Sequence, residues 1–130
     1  MKVENIKFKA KRLDNGEWII GSFVVMKITA LSKTTIGIVA AGGATLHEVD
    51  PSTVCQFTGL KDCKGNEIWE GDVLLNTNSD SQYTVMYSDY GGAFFIRKKG
   101  TVNDDMYLFE LSDVDKCVAF LEVIGNKFDK

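Results

Sequence analysis

The sequence predicts an all-β fold with one short helical turn. Its 130 residues contain 12 glycines and a single proline, a balance that suits frequent tight turns between strands. Turn signals recur about every ten residues, and the segments between them alternate in polarity or are rich in β-branched and aromatic residues. No long segment has the apolar period of an amphipathic helix. Together these features indicate a small barrel or sandwich.

The first predicted hairpin lies near the N-terminus. Residues 6–11 alternate, with apolar residues at the even positions and lysines at the odd ones, so the even positions should face a core. Asp14-Asn15-Gly16 predicts a tight turn, because Asn-Gly tolerates positive φ at low cost. Residues 17–29 then predict the returning strand, and Gly21 within it indicates a bulge or sharp bend.

The remaining predicted strands follow at similar spacing. A second pair of short strands surrounds Gly42-Gly43, and a clear hairpin surrounds Asp89–Gly92. Further strands are predicted at residues 52–60, 67–76 and 119–126.

A single helical signal interrupts this pattern. Ser112 is a suitable N-cap residue, and Asp113 and Asp115 would stand in the first turn, where the helix dipole favours acidic side chains. The apolar residues that follow fit a closing strand better than a longer helix, so we expect one short turn there.

Length and charge limit the functional classes. The chain has the length of one domain, predicted over residues 1–130, with residues 1–50 and 51–130 as candidate sub-structures. Its formal net charge of −3 does not favour nucleic acid as a partner. Neither a membrane span of about twenty apolar residues nor a secretory signal is apparent. We therefore expect a cytoplasmic protein with no membrane association.

The cysteines and the histidine give no sign of a metal or disulfide framework. Cys55, Cys63 and Cys117 are odd in number and irregularly spaced, and His47 is the only histidine. We expect free thiols and no cofactor.

Residues 57–74, FTGLKDCKGNEIWEGDVL, hold the densest group of polar residues. Their four carboxylates, from Asp62, Glu67, Glu70 and Asp72, could bind a hard cation or act as acid and base. Alternatively they mark turns, and Asp72 accepts backbone N–H groups at a bend. Because successive strand residues face opposite sides, the four carboxylates need not converge, and the structural interpretation is favoured.

Two further groups are candidate interaction surfaces. Lys7, Lys9, Lys11 and Arg12 form a basic stripe that could follow a phosphate backbone, or could be a solvated strand face that discourages pairing at a sheet edge. Trp69 is expected in the core or at an interface, and Tyr90 stands at a hairpin tip.

Three segments of the sequence indicate a resemblance to a known family. IKFKA, VDPSTVCQFTGLKDCKGNEIWEGDVL and LEVIGN occur in that order, and the chain resembles the YopX-like proteins of phages and prophages. The resemblance implies a mostly-β fold related to SH3-like barrels and an oligomeric state, without an assigned activity or catalytic residues. The motif positions are Thr58, Gly59, Leu60, Asp62, Gly65, Glu67, Ile68, Gly71, Asp72, Gly125 and Asn126.

The expected function is that of a non-enzymatic phage accessory protein. It would act as a binding or assembly module through self-association and contacts with a phage or host protein. One alternative is a nucleic-acid module that uses the stripe from Lys7 to Arg12, although nucleic acid is not the expected partner. Another is a metal-dependent enzyme at the acidic cluster of residues 62–72.

Overall fold

The all-β prediction is confirmed. A computed structural model describes residues 2–40, 42–101, 105–112 and 117–129, and this part of the chain contains eleven strands, four short 3-10 turns and no α-helix. The strands are β1 (Phe8–Lys11), β2 (Trp18–Ile28), β3 (Lys33–Ala40), β4 (Leu46–Glu48), β5 (Cys55–Lys61), β6 (Glu67–Trp69), β7 (Asp72–Asn76), β8 (Gln82–Ser88), β9 (Ala93–Lys98), β10 (Asp105–Tyr107) and β11 (Leu121–Asn126). The 3-10 turns are Val3–Asn5, Thr29–Leu31, Pro51–Thr53 and Leu108–Leu111.

The strands pair antiparallel in two sheets. Their hydrogen-bonded orders are β4-β3-β2-β1-β5-β6 and β10-β9-β8-β7-β11. Neither order returns to its first strand, so the described residues form no closed barrel. The chain divides into two compact units, Met1–Gln56 and Phe57–Lys130. None of the helical turns in the described ranges is long and apolar enough to cross a membrane.

Unit 1, Met1–Gln56, is built on the predicted N-terminal hairpin. The turn at Asn15-Gly16 joins β1 to β2, and Gly16 adopts a φ of 71° there. Ala10 is fully buried in the core of this unit, and the rings of Phe8 and Phe23 lie 5.5 Å apart beside it. Ile6 precedes β1 and is 52% exposed, so the expected inward face holds for Phe8 and Ala10 only.

Gly21 does not form the bulge that its place in the strand suggested. Its pairing is continuous with both neighbours, opposite Phe8 on β1 and Ala40 on β3. A Cβ atom at this position would lie 2.0 Å from the carbonyl oxygen of Val39. Glycine is needed here because another strand approaches the backbone closely.

Unit 2, Phe57–Lys130, contains the strands of the second sheet. The predicted hairpin at residues 89–92 joins β8 to β9, and its Gly92 has a φ of 61° and donates to the Ser88 carbonyl at 2.8 Å. The buried core of the unit consists of apolar residues from β5 to β9, from the turn Leu108–Leu111 and from the segment that ends in β11: Leu60, Ile68, Leu74, Val85, Ile96, Leu108, Val118 and Leu121.

The helical turn predicted after Ser112 falls mostly outside the described residues. Ser112 itself directly follows the 3-10 turn Leu108–Leu111, and its hydroxyl donates to the Phe109 carbonyl at 2.7 Å. The turn is anchored by Leu108, which is fully buried. Residues 113–116, where Asp113 and Asp115 stand, lie outside the described residues. The three-residue strand β10 was not predicted.

Candidate functional site

Asp62 is a buried carboxylate that connects a turn to a distant strand. One oxygen, Oδ1, accepts the backbone N–H groups of Lys64 and Asn66 at 2.9 and 2.7 Å. The other, Oδ2, accepts the Asn66 side-chain amide at 3.0 Å and the backbone N–H of Val123 on β11 at 2.9 Å. The residue is fully buried, so these four donors replace water around its charge.

The hydrogen bonds decide the protonation state of Asp62. Burial alone would raise its pKa, but the bonds donated by Val123, Asn66 and Lys64 outweigh burial and hold the pKa below the ordinary value. The Lys64 ammonium group also pairs with Glu122 on β11 at 2.9 Å. Turn 62–66 is therefore attached to β11 by both buried and exposed polar contacts.

Asp72 occupies the second bend of the motif. Its Oδ2 accepts the backbone N–H of Trp69 at 2.8 Å, as the sequence predicted for a residue at a bend. Its Oδ1 accepts the Asn126 side-chain amide at 3.0 Å. The same amide nitrogen lies 3.3 Å from the Glu70 carbonyl, so Asn126 connects β11 to both sides of the bend.

Gly71, beside Asp72, provides the backbone conformation of this bend. Its φ is 85°, in the left-handed region that favours glycine. Its N–H donates to the Val85 carbonyl at 2.8 Å, and its own carbonyl accepts from Lys127 at the same distance. The bend is thus hydrogen-bonded on both sides.

The other motif residues shape the β5–β6 hairpin. The Thr58 hydroxyl donates to the Ile68 carbonyl at 2.6 Å and accepts from the Leu60 N–H at 3.2 Å. Gly59, with a φ of 83°, lies where the pairing register of the two strands shifts. Gly65 closes the turn by donating to the Asp62 carbonyl at 3.1 Å. Glu67 lies opposite Lys61 in the β5–β6 pairing.

These contacts give little support to a metal centre. No three His, Cys, Asp or Glu residues in the described ranges are grouped so that they could hold a metal ion. The oxygens of Asp62 and Asp72 already accept N–H groups, and they serve two different bends. Cys55, Cys63 and Cys117 form no disulfide with one another.

A comparison with known protein families shows which family contains this motif. The YopX protein family matches residues 7–130, which include the motif and all eleven strands. The chain belongs to the YopX protein family. No curated protein matches it. In this YopX-family chain, side chains of residues 57–74 connect two bends to β11 through buried and part-buried hydrogen bonds.

The basic stripe of this YopX-family chain is more engaged than expected. The Lys9 and Lys11 ammonium groups lie 4.7 and 5.4 Å from the centre of the Trp18 ring, which stands on the neighbouring strand β2. The Arg12 guanidinium pairs with Asp14 at 2.6 Å. Lys7, Lys9 and Lys11 are partly buried rather than fully solvated.

We expect the double substitution Lys9→Ser and Lys11→Ser to lower the free energy of unfolding by about 1–2 kcal/mol. Two cation–π contacts and the cover that the lysine stems provide over Trp18 would be lost. Urea unfolding followed by tryptophan fluorescence measures the change, with Lys27→Ser, at an exposed lysine of β2, as a single-substitution control. A change in the free energy of unfolding below about 0.5 kcal/mol would instead support a solvated strand face without stabilising contacts.

The two aromatic candidates differ in exposure. Trp69 is only 5% exposed, and its ring packs 5.3 Å from that of Phe57. It is therefore an interior residue and not part of an exposed interaction surface. Tyr90 is fully exposed at the tip of the β8–β9 hairpin, as expected.

An exposed apolar surface on the β2–β3 hairpin was not predicted from the sequence. Val25 and Met26 on β2 are 50% and 45% exposed, and Leu31 in the following turn is 69% exposed. We name residues 24–35, the outer part of the β2–β3 hairpin, the arm. The run FVVMKI was the available signal, because consecutive apolar residues exceed what alternation requires for one core.

Proposed function

We propose that this YopX-family chain is a non-enzymatic assembly module that associates with copies of itself through the arm. The observation that carries the proposal is the exposure of adjacent apolar residues on the arm. Val25 and Met26 point to opposite faces of β2, because side chains alternate along a strand. Both are about half exposed, so neither face of this part of the hairpin is well covered within the chain.

Because β2 and β3 stay paired along the arm, the arm would insert as one ordered hairpin between the surfaces of neighbouring copies. Val25 lies opposite Ile36, and Met26 lies opposite Thr35, so the two strands remain in register along the arm. Ile28 and Leu31 extend the apolar surface to the turn, with exposed fractions of 37% and 69%. Exposed apolar area of this kind, on an ordered element, is typical of protein–protein contacts.

The wider setting of the proposal comes from the family resemblance. YopX-like proteins belong to phages and prophages, so the partners we propose besides further copies are phage or host proteins in the host cytoplasm. The SH3-like relationship is proposed for unit 2, where β7, β8 and β9 form a continuous antiparallel meander. The 3-10 turn Leu108–Leu111 stands between β10 and the last strand, β11.

Light scattering coupled to size exclusion tests self-association. We expect the wild-type chain to have a mass of two or more times 14.4 kDa. The arm variant Met26→Glu with Leu31→Glu should have the monomer mass. The matched control is Val3→Glu with Leu13→Glu, which charges two exposed apolar residues of unit 1 outside the arm and should leave the mass unchanged.

A wild-type mass of 14.4 kDa at every concentration would overturn the proposal. Nucleic-acid binding by the stripe from Lys7 to Arg12 is the competing hypothesis. It predicts salt-dependent retention of the chain on immobilised DNA, with loss of retention when Lys9 and Lys11 are replaced together.

A further inference from the structure

Phe120 in unit 2 has an unusual backbone conformation for a large side chain. Its φ is 69°, in the left-handed region, where a bulky residue is strained. The conformation is held from outside, because the Phe120 carbonyl accepts the N–H of Thr77 at 2.9 Å and lies 3.4 Å from the Thr77 hydroxyl. Leu121, the next residue, is buried in the core.

The strain does not serve to bury the Phe120 ring. The residue remains 59% exposed, so the core gains little from its ring. Strained residues that persist in a fold are concentrated at ligand clamps and other functional positions. The residues around Phe120 show what its ring could contact.

A groove opens beside Phe120. Its apolar lining includes Tyr83, Met106, Leu111 and Ala119, and Glu110 is the only charged residue among the described lining residues. Met106 and Glu110 are themselves exposed. The groove therefore offers an apolar slot with an aromatic ring on one side and a single negative charge at its rim.

We propose that this groove, the Phe120 groove, binds an apolar side chain of a peptide segment from another protein, with an adjacent lysine or arginine paired to Glu110. The apolar lining matches the side chain, and the rim carboxylate matches the basic neighbour. The site lies in unit 2 and does not require the arm, so it is independent of the proposed self-association.

Capped dipeptides probe the groove directly. We expect N-acetyl-Leu-Lys-amide to shift the backbone NMR signals of Glu110, Leu111, Ala119 and Phe120 at millimolar concentration. N-acetyl-Leu-Glu-amide and N-acetyl-Ser-Lys-amide should each bind several-fold more weakly, because the first repels Glu110 and the second leaves the slot empty. Equal binding of all three, or shifts only elsewhere, would overturn the proposal.

Two variants separate the role of the ring from its strain. Phe120→Gly and Phe120→Ala both remove the ring, and both should weaken Leu-Lys binding about tenfold, a size typical of losing one well-packed contact. Only glycine relieves the left-handed backbone, so Phe120→Gly should melt about 3–5 °C above Phe120→Ala. Wild-type binding by either folded variant would show that the ring is not part of a site.

Two further variants test the charge and the source of the partner. Glu110→Gln should remove the preference for Leu-Lys over Leu-Glu while the dependence on leucine remains. The arm variant Met26→Glu with Leu31→Glu should bind Leu-Lys as the wild type does. Loss of binding in the arm variant would assign the groove to an interface between copies and overturn the proposal of a separate partner.

Discussion

Asp62→Ala should lower the free energy of unfolding by about 3–5 kcal/mol, the largest effect that we expect from a single substitution. The change would remove a fully buried carboxylate that accepts the backbone N–H groups of Lys64, Asn66 and Val123. Urea unfolding at neutral pH measures the loss. Asp89→Asn, at an exposed carboxyl of the β8–β9 turn, is the control and should stay within about 0.5 kcal/mol of the wild type.

The effect of Asp62 should depend on pH in a defined direction. Its pKa lies below the ordinary value of 3.8, so the folded chain binds the proton less readily than the unfolded chain. The stabilisation is therefore complete above the unfolded pKa and is lost as pH falls through the lowered folded pKa. We expect the stability difference between wild type and Asp62→Asn to shrink below about pH 4. A difference that stays constant down to pH 2.5, or is small at neutral pH, would contradict this role.

Gly71→Val should lower the free energy of unfolding by about 2–4 kcal/mol. The left-handed φ of 85° is costly for a β-branched residue, and a Cβ atom would lie 3.2 Å from the Asn126 side-chain nitrogen. Thermal and urea unfolding measure the loss. Gly125→Val is the matched control, because a Cβ atom there meets nothing within 4 Å. Equal losses at the two glycines would show that the Gly71 bend is not special.

Asp72→Asn should be milder than Gly71→Val but not neutral. The two Asp72 oxygens accept from Trp69 and Asn126, and an amide has only one oxygen to offer. Asn126 cannot turn its amide without loss, because its own oxygen accepts the Phe128 N–H at 3.0 Å. We expect a loss of about 1–2 kcal/mol. Micromolar Mg²⁺ or Mn²⁺ binding by calorimetry that disappears in Asp72→Asn would contradict this structural role.

The local chemistry of this sequence determined its strands and turns. Gly16 and Gly92 mark hairpins, because glycine adopts the positive φ that each turn requires at low cost wherever it stands in the chain. The alternating polarity of residues 6–11 also predicted that Phe8 and Ala10 lie on the inward face of β1, because neighbouring residues of a strand face opposite sides. Asp72 was also readable as a backbone acceptor, because Trp69 is only three residues away.

Only the tertiary structure decided which residues meet across the chain. The partner of Asp62 on β11, Val123, is 61 residues distant, so no local pattern could reveal it. Gly21 is a glycine because Val39 of another strand approaches it, and Phe120 is left-handed because Thr77 holds its carbonyl. These contacts depend on how strands pair and pack, and that pairing is a property of the whole chain's free energy rather than of any short segment.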